Sequence, residues 1–264
     1  MTQNIYDNEA FFTAYSQLPR SIGGLDAAPE WPALRAMLPT LQGKRVLDLG
    51  CGYGWFCRWA ADAGAASVLG VDVSEKMLAQ ASAMGQHGAV SYARIDLGQL
   101  ALPPAAYDLV YSSLAFHYIE DFATLLAAIR HGLKSGGKLV FSIEHPVFMA
   151  PRQPGWLTDA QGRKTWPVDS YQRQGPRISD WLAPGVIKQH RTLGTTLNAL
   201  IQAGLRIDHV EEWGPTDAQV AQQPALAEER ERPMLLLIGC SLPSLRRQLA
   251  TLRVKRKVDA PALT

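Results

Sequence analysis

Cysteine is scarce: the 264 residues contain three, Cys51, Cys57 and Cys240. An odd number, without the close pairing of zinc ligands, excludes a disulfide framework and indicates no metal site. Long apolar runs are missing as well. No stretch reaches the roughly 18 to 20 apolar residues of a membrane span, and the opening MTQNIYDNEAFF lacks a basic-then-apolar export signal, so a cytoplasmic location without membrane association is expected. Charge is modest at 19% against 47% apolar residues, which excludes a disordered or collagen-like chain. The net charge of +2 conceals an asymmetry. Residues 244–264 hold Arg246, Arg247, Arg253, Lys255, Arg256 and Lys257 against Asp259, a net of +5 that leaves the rest of the chain at −3. A body of that sign suits a phosphate backbone poorly, so nucleic acid is not an expected partner. The basic tail reads as a solvated, partly disordered segment.

Short apolar runs do recur, alternating with helical patterns, which is the signature of a parallel sheet with helices on both faces. Strands are expected at 45–49, 67–71, 90–94, 107–111 and 138–143. The helix after the first strand would bury Phe56, Trp59, Ala60 and Ala63. Ser74 is placed to cap the next helix, with Met77, Leu78 and Ala81 facing inward. A helix carrying Leu125, Leu126, Ile129 and Leu133 should stop on Lys134-Ser135-Gly136-Gly137. After Pro146 the pattern breaks. Residues 147–190 carry Trp156, Trp166, Tyr171 and Trp181 among five prolines and four glycines, as expected of a long functional loop. Regularity returns with a helix burying Leu193, Leu197, Leu200 and Ile201, then strands at 205–210 and 234–238. The expected organisation is a single domain over 1–243, with a helical cap at 1–43, an insert at 147–190 and the tail at 244–264.

The segment VLDLGCGYG (46–54) ends the first strand in GxGxG, from Gly50, Gly52 and Gly54. Such glycines permit tight turns and close backbone approach to a ligand. A dinucleotide site would place its third glycine at position 55, which is Trp55. Asp48 adds an argument from charge. A helix N-terminus favours a pyrophosphate, and a carboxylate beside it opposes one. A cationic ligand reverses this logic: S-adenosylmethionine carries a sulfonium and an ammonium. Asp48 has a second reading, as a turn-stabilising carboxylate bonded to loop N–H groups. Asp72, at the end of the second strand, is spaced to accept ribose hydroxyls, and Asp96-Leu97 supplies a further acidic position after the third.

These residues, with the segments YDLVYSSLAFHYIED (107–121) and LKSGGKLVFSIEHP (133–146), resemble class I S-adenosylmethionine-dependent methyltransferases of the type 11, ubiquinone/menaquinone-methyltransferase-like group. The resemblance runs from about Val46 to Pro146. It implies a Rossmann-like α/β fold with a seven-stranded sheet of order 3-2-1-4-5-7-6, strand 7 antiparallel, and S-adenosylhomocysteine as product. It also implies that Gly50, Cys51 and Gly52 approach the methionine moiety, and that Asp72 and Val73 meet the ribose. Asp96, the Leu97 amide and Met77 would hold the adenine, and Ser112 and His117 would line the methionine end. Tyr15 and Arg20 would take the cofactor carboxylate.

Absences narrow the acceptor. No Asn/Asp-Pro-Pro-aromatic motif follows the fourth strand, which reads Ser112-Ser113-Leu114-Ala115, and no cysteine follows a proline. Few acids follow Leu114, unlike metal-dependent catechol enzymes. A small molecule is therefore expected, planar or apolar, methylated on oxygen or nitrogen by a monomer or homodimer. Methyl transfer needs alignment and exclusion of water, and a base only for a protonated acceptor. Candidate bases are His117, Glu144, His145 and His190. Trp156, Trp166, Tyr171 and Trp181 are candidates for a lid over the acceptor, with Arg191 and Arg232 for an acidic group. Two alternatives stand: a non-catalytic cofactor-binding module, and an RNA or protein methyltransferase recruited through the tail.

Overall fold

Burial separates the central strands from the edges. The computed structural model describes residues 2–244, so the expected basic tail lies, beyond Ser244, outside the described residues. Strands β1 (Arg45–Leu49), β2 (Ser67–Asp72), β4 (Tyr107–Ser113) and β5 (Leu133–Glu144) are mostly buried. The late strand β7 (Leu235–Ser241) is buried throughout, whereas β3 (Val90–Arg94) and β6 (Arg206–Trp213) are largely accessible. Continuous apolar runs belong where both faces of a strand are covered. The sheet order is β6-β7-β5-β4-β1-β2-β3, with β7 antiparallel to both its neighbours and the other pairings from β5 to β3 parallel. This is the order 3-2-1-4-5-7-6 that the sequence implied.

Alternate residues of each strand feed two cores. Leu47, Val110, Phe141 and Ile238 pack with Leu125, Leu126 and Ile129 of helix α6 (Phe122–Gly132) on one face. Val46, Leu109, Val140 and Leu237 pack on the other with Trp31 and Leu34 of α3 (Trp31–Met37) and Phe56 and Ala60 of α4 (Trp55–Asp62). Helices α1 (Glu9–Ser16) and α2 (Pro19–Gly23) lead into α3, and α5 (Glu75–Ala83) is capped by Ser74, whose Oγ accepts from Met77 N at 3.1 Å.

Several expectations change. Ala63 is exposed, and α4 turns Phe56, Cys57, Ala60 and Ala61 inward instead. Helix α6 ends at Gly132, and the expected glycine stop is drawn into β5, where Gly136 N donates to Leu242 O and Leu242 N to Gly137 O. Residues 147–190 are not one loop. They form the short helix α7 (Pro146–Met149), a hairpin of Leu157–Thr158 with Lys164–Thr165, and a second hairpin of Gly175–Ser179 with Val186–His190. In α8 (Leu193–Gln202) Leu200 is buried, but Ile201 is 59% exposed, because the helix rests on the sheet by a stripe too narrow to include it.

Candidate functional site

The strand ends of β1, β2 and β4 open onto one cavity of about 780 Å³. Gly50 and Gly52 stand at its edge with φ of +76° and +51°. A Cβ on Gly50 would strike Ala115, whereas one on Gly52 would project into open space, where a ligand can approach the backbone. Asp72 braces this loop. Its Oδ2 accepts from Gly52 N at 2.9 Å and its Oδ1 from Ser74 N at 3.0 Å, while burial raises its pKa against those bonds. Asp72, not Asp48, is therefore the turn-stabilising carboxylate. Asp48 accepts only from the Cys57 thiol, at 3.2 Å, and burial pushes its carboxyl up to about 7. It lines a smaller chamber of about 100 Å³ that shares Tyr15, Arg20, Gly50 and Gly52 with the main cavity and also includes Cys51.

Val73, Met77, Asp96 and Leu97 line the main cavity beside Asp72. Asp96 accepts from Thr2 N and Gly98 N, both at 2.9 Å, and these bonds outweigh burial to lower its pKa. Arg20 is not a free surface charge: its Nη2 donates at 2.8 Å to Glu30, a residue buried beneath the cap that the sequence reading missed. Ser112 turns inward and donates to Leu49 O at 2.7 Å, and Ser113, Leu114 and Ala115 line the cavity in its place.

Of the four candidate bases, the structure brings His117 and Glu144 to the cavity. His117 is buried, and burial together with the charges of Lys188 and Arg191 holds its pKa well below the ordinary range. Its Nδ1 accepts from Glu144 N at 3.3 Å, which puts the proton of the neutral ring on Nε2. The ring is thus a donor rather than a base. Glu144 pairs with Lys188 of the second hairpin, and the Lys188 ammonium lies 4.7 Å from the centre of the Trp181 ring. The other two histidines are taken up by the fold. His145 accepts from Val147 N at 3.0 Å to cap α7 and bonds Glu212 of β6 at 2.8 Å. His190 bonds Tyr171 O at 2.8 Å, with the Tyr171 ring centre 5.6 Å away.

The aromatic insert divides in the same way. Trp166 and Trp181 line the cavity, whereas Trp156 packs edge-on against Trp166 at 5.4 Å from behind. Tyr171 Oη accepts from Leu193 N, and Arg191 donates to the carbonyls of Ile119 and Glu120; neither side chain lines the cavity, although Arg191 holds Ile119, which does. Lys188, Tyr6, Tyr118 and Phe148 are cavity residues that sequence reasoning passed over. No sequence signal marks Lys188: Val186, Lys188 and His190 form the buried face of a strand, but VIKQH does not alternate apolar with polar residues. Among the described residues no cluster of three or more His, Cys, Asp or Glu is placed to hold a metal ion, and no helix is long and apolar enough to cross a membrane.

Known proteins share this arrangement. A type 11 methyltransferase-domain profile matches residues 47–141. A solved S-adenosylmethionine-dependent methyltransferase from Mesorhizobium loti is 59% identical, with a TM-score of 0.80 over 83% of this chain and 100% of that one. The chain belongs to the S-adenosylmethionine-dependent methyltransferases. A Haemophilus influenzae protein of uncharacterised function is 37% identical over 89% of this methyltransferase and 95% of its own length. A malonyl-[acyl-carrier protein] O-methyltransferase from Erwinia billingiae is 38% identical over 101 residues, 38% of this chain and 39% of that protein. The methyl donor is accordingly S-adenosylmethionine, and the sheet that carries the loop of Gly50 and Gly52 is the sheet of this methyltransferase fold.

Proposed function

We propose that the enzyme methylates an oxygen or nitrogen atom of a small, planar or apolar metabolite, and that donor and acceptor meet in the cavity of about 780 Å³. The observation that carries this reading is the cavity's two-ended lining. One end is Gly50, Gly52, Asp72, Met77, Asp96 and Leu97; the other is His117, Tyr118, Glu144, Trp166, Trp181 and Lys188. Its volume falls within the roughly 300–1,000 Å³ of small-molecule sites. A binding module that had lost transfer would have no use for the second end.

The residues at the first end suit the cofactor. Asp72 keeps a lone pair on each carboxylate oxygen after bonding the loop, enough for two ribose hydroxyls. Met77 and Leu97 give the adenine an apolar wall, with Val73 beside the ribose and Asp96 at the amine. Tyr15 and Arg20 stand on the cap side, where Arg20 would meet a carboxylate with the guanidinium N–H groups that Glu30 does not take, and Cys51 lies in the turn. When bound, the cofactor supplies a methyl carbon already activated by the sulfonium, so the protein's task is alignment and exclusion of water. At the second end Glu144, held in an ion pair with Lys188, takes the proton of a protonated acceptor. His117 donates a hydrogen bond. Trp166 and Trp181 cover the acceptor.

Calorimetric titration with S-adenosylmethionine and S-adenosylhomocysteine tests the reading, followed by a labelled-methyl screen of small acceptors. Binding of both ligands, weakened about tenfold or more in Asp72→Asn through lost charge-assisted bonds, is the expected result. If neither ligand binds, the assignment of this cavity fails.

A further inference from the structure

The insert end of the cavity holds four cations, two of them without an ion pair among the described residues. Arg152, Arg177, Lys188 and Arg232 line it, against Glu144 and Asp180. Lys188 is matched by Glu144. Asp180 accepts from Gly185 N within the hairpin turn. Arg152 and Arg177 have no ion pair among the described residues, although they lie close enough for Arg152 to disfavour the charge on Arg177. Asp169 partly offsets this, accepting from the Arg152 backbone N–H at 3.2 Å. The Arg177 guanidinium is fixed by carbonyls alone: Ala150 O at 3.0 Å, Pro176 O at 3.3 Å, Ser170 O at 3.2 Å and Arg173 O at 2.7 Å. Such a cation is oriented without being neutralised.

Arg232 gives an independent sign. It is 4% exposed, lines the same cavity and lies 4.4 to 5.4 Å from the ring centres of Phe148, Trp156 and Trp166. Its Nη2 reaches Glu229 Oε1 at 2.8 Å, while its Nε, like Glu229 Oε2, is buried with no hydrogen-bond partner among the described residues. A buried donor left unmade is costly, and ligand sites are where such donors persist. The segment 147–152 joins these groups, with Phe148 under Arg232, Ala150 O on Arg177, and Arg152 next along the chain.

We propose that the methyl acceptor is an anion, a planar or apolar body bearing a carboxylate or phosphate that Arg152, Arg177 and Arg232 hold at the insert end. This rests on the reading of the cavity's second end as the acceptor site. Arginine is suited to the task, since its planar fork matches both anionic groups. The apolar body then lies along Phe148, Trp166 and Trp181 toward the cofactor.

The test is calorimetry on protein saturated with S-adenosylhomocysteine, using 2-naphthoate, 2-naphthyl phosphate and neutral 2-naphthamide as probes. At least one anion should bind about tenfold or more tighter than the amide, and the tighter of the two identifies the group. Arg152→Gln should remove most of that preference, and because the Arg152 side chain makes no hydrogen bond among the described residues, the variant folds independently of the result. Arg177→Gln should do the same where its insert stays ordered. Equal binding of amide and anions, no binding of either anion at millimolar concentration, or a preference unchanged in Arg152→Gln overturns the proposal. Loss of S-adenosylhomocysteine binding is read separately, and it would count against the cofactor assignment instead.

Discussion

Asp48 shows how far a single residue can be read from its neighbours in sequence. Its position before Gly50 announced a carboxylate under the loop, but not that Cys57 alone would bond it. Burial, partly opposed by the Cys57 thiol and reinforced by Asp72, sets its pKa at about 7, above the ordinary 3.8. A raised carboxyl pKa means that the fold favours the protonated form. Its stabilising effect is complete below about pH 4 and is lost as pH rises to about 7. Asp48→Asn should therefore match the wild type in denaturant titrations at pH 4 and exceed it at pH 8 by roughly 2 to 4 kcal/mol. A cation over the loop draws the proton off. The ratio of S-adenosylmethionine to S-adenosylhomocysteine affinity should rise with pH through about 7 in the wild type and stay flat in Asp48→Asn; a flat wild-type ratio would separate Asp48 from the sulfonium. The histidines were less legible. His145 follows β5 and His190 ends the second hairpin, yet Glu212 and the Tyr171 carbonyl, remote in sequence, claim their rings.

Elements were legible where their signals are local. Ser74 capped α5 as its spacing required, because a cap and its target lie three residues apart. What the sequence could not show is that Asp7 acts on the same helix end from the N-terminal segment. Its carboxylate accepts from Ser74 Oγ at 2.5 Å and from Lys76 N at 3.2 Å and Glu75 N at 3.4 Å. Burial opposes the charged form, but these bonds and that from Asn4 prevail and lower the pKa. Here the sign is the reverse of Asp48: the contribution is present above the unfolded pKa near 4 and is lost as pH falls below it. Asp7→Asn should cost about 1 kcal/mol at pH 7, the usual worth of a cap, with the difference closing toward pH 3 in thermal melts. The insert was misread as a loop because its hairpin strands are short and rich in turn residues.

At the scale of the molecule, the sheet order was legible through the family resemblance, whereas composition along each strand records only whether both its faces are covered. The cavity was most legible at its cofactor end, where the consecutive units β1–α4–β2 and β2–α5–β3 supply the residues, and at the other end only in His117, Glu144, Trp166 and Trp181. Its other end is assembled from Tyr6, Tyr118, Phe148, Trp181 and Arg232, whose proximity is a property of the whole fold. The two ends are mechanically linked through the N-terminus. Thr2 N bonds Asp96 at the cofactor end, and Gln3 bonds Gly185 O and Ile187 N of the second hairpin, each at 2.9 Å. Phe11 and Tyr15 of the cap extend that link by packing edge-on against Trp181. Filling the cofactor end should therefore stiffen the hairpin that carries Lys188. Hydrogen exchange with saturating S-adenosylhomocysteine is expected to slow at residues 2–8 and also at 186–190, each by about tenfold or more where opening is local. Gln3→Ala should keep the first effect and lose most of the second, since it cuts both bonds to the hairpin while leaving Thr2 on Asp96. A hairpin whose exchange ignores the ligand in the wild type would mean that the two ends of the cavity are built together but work apart.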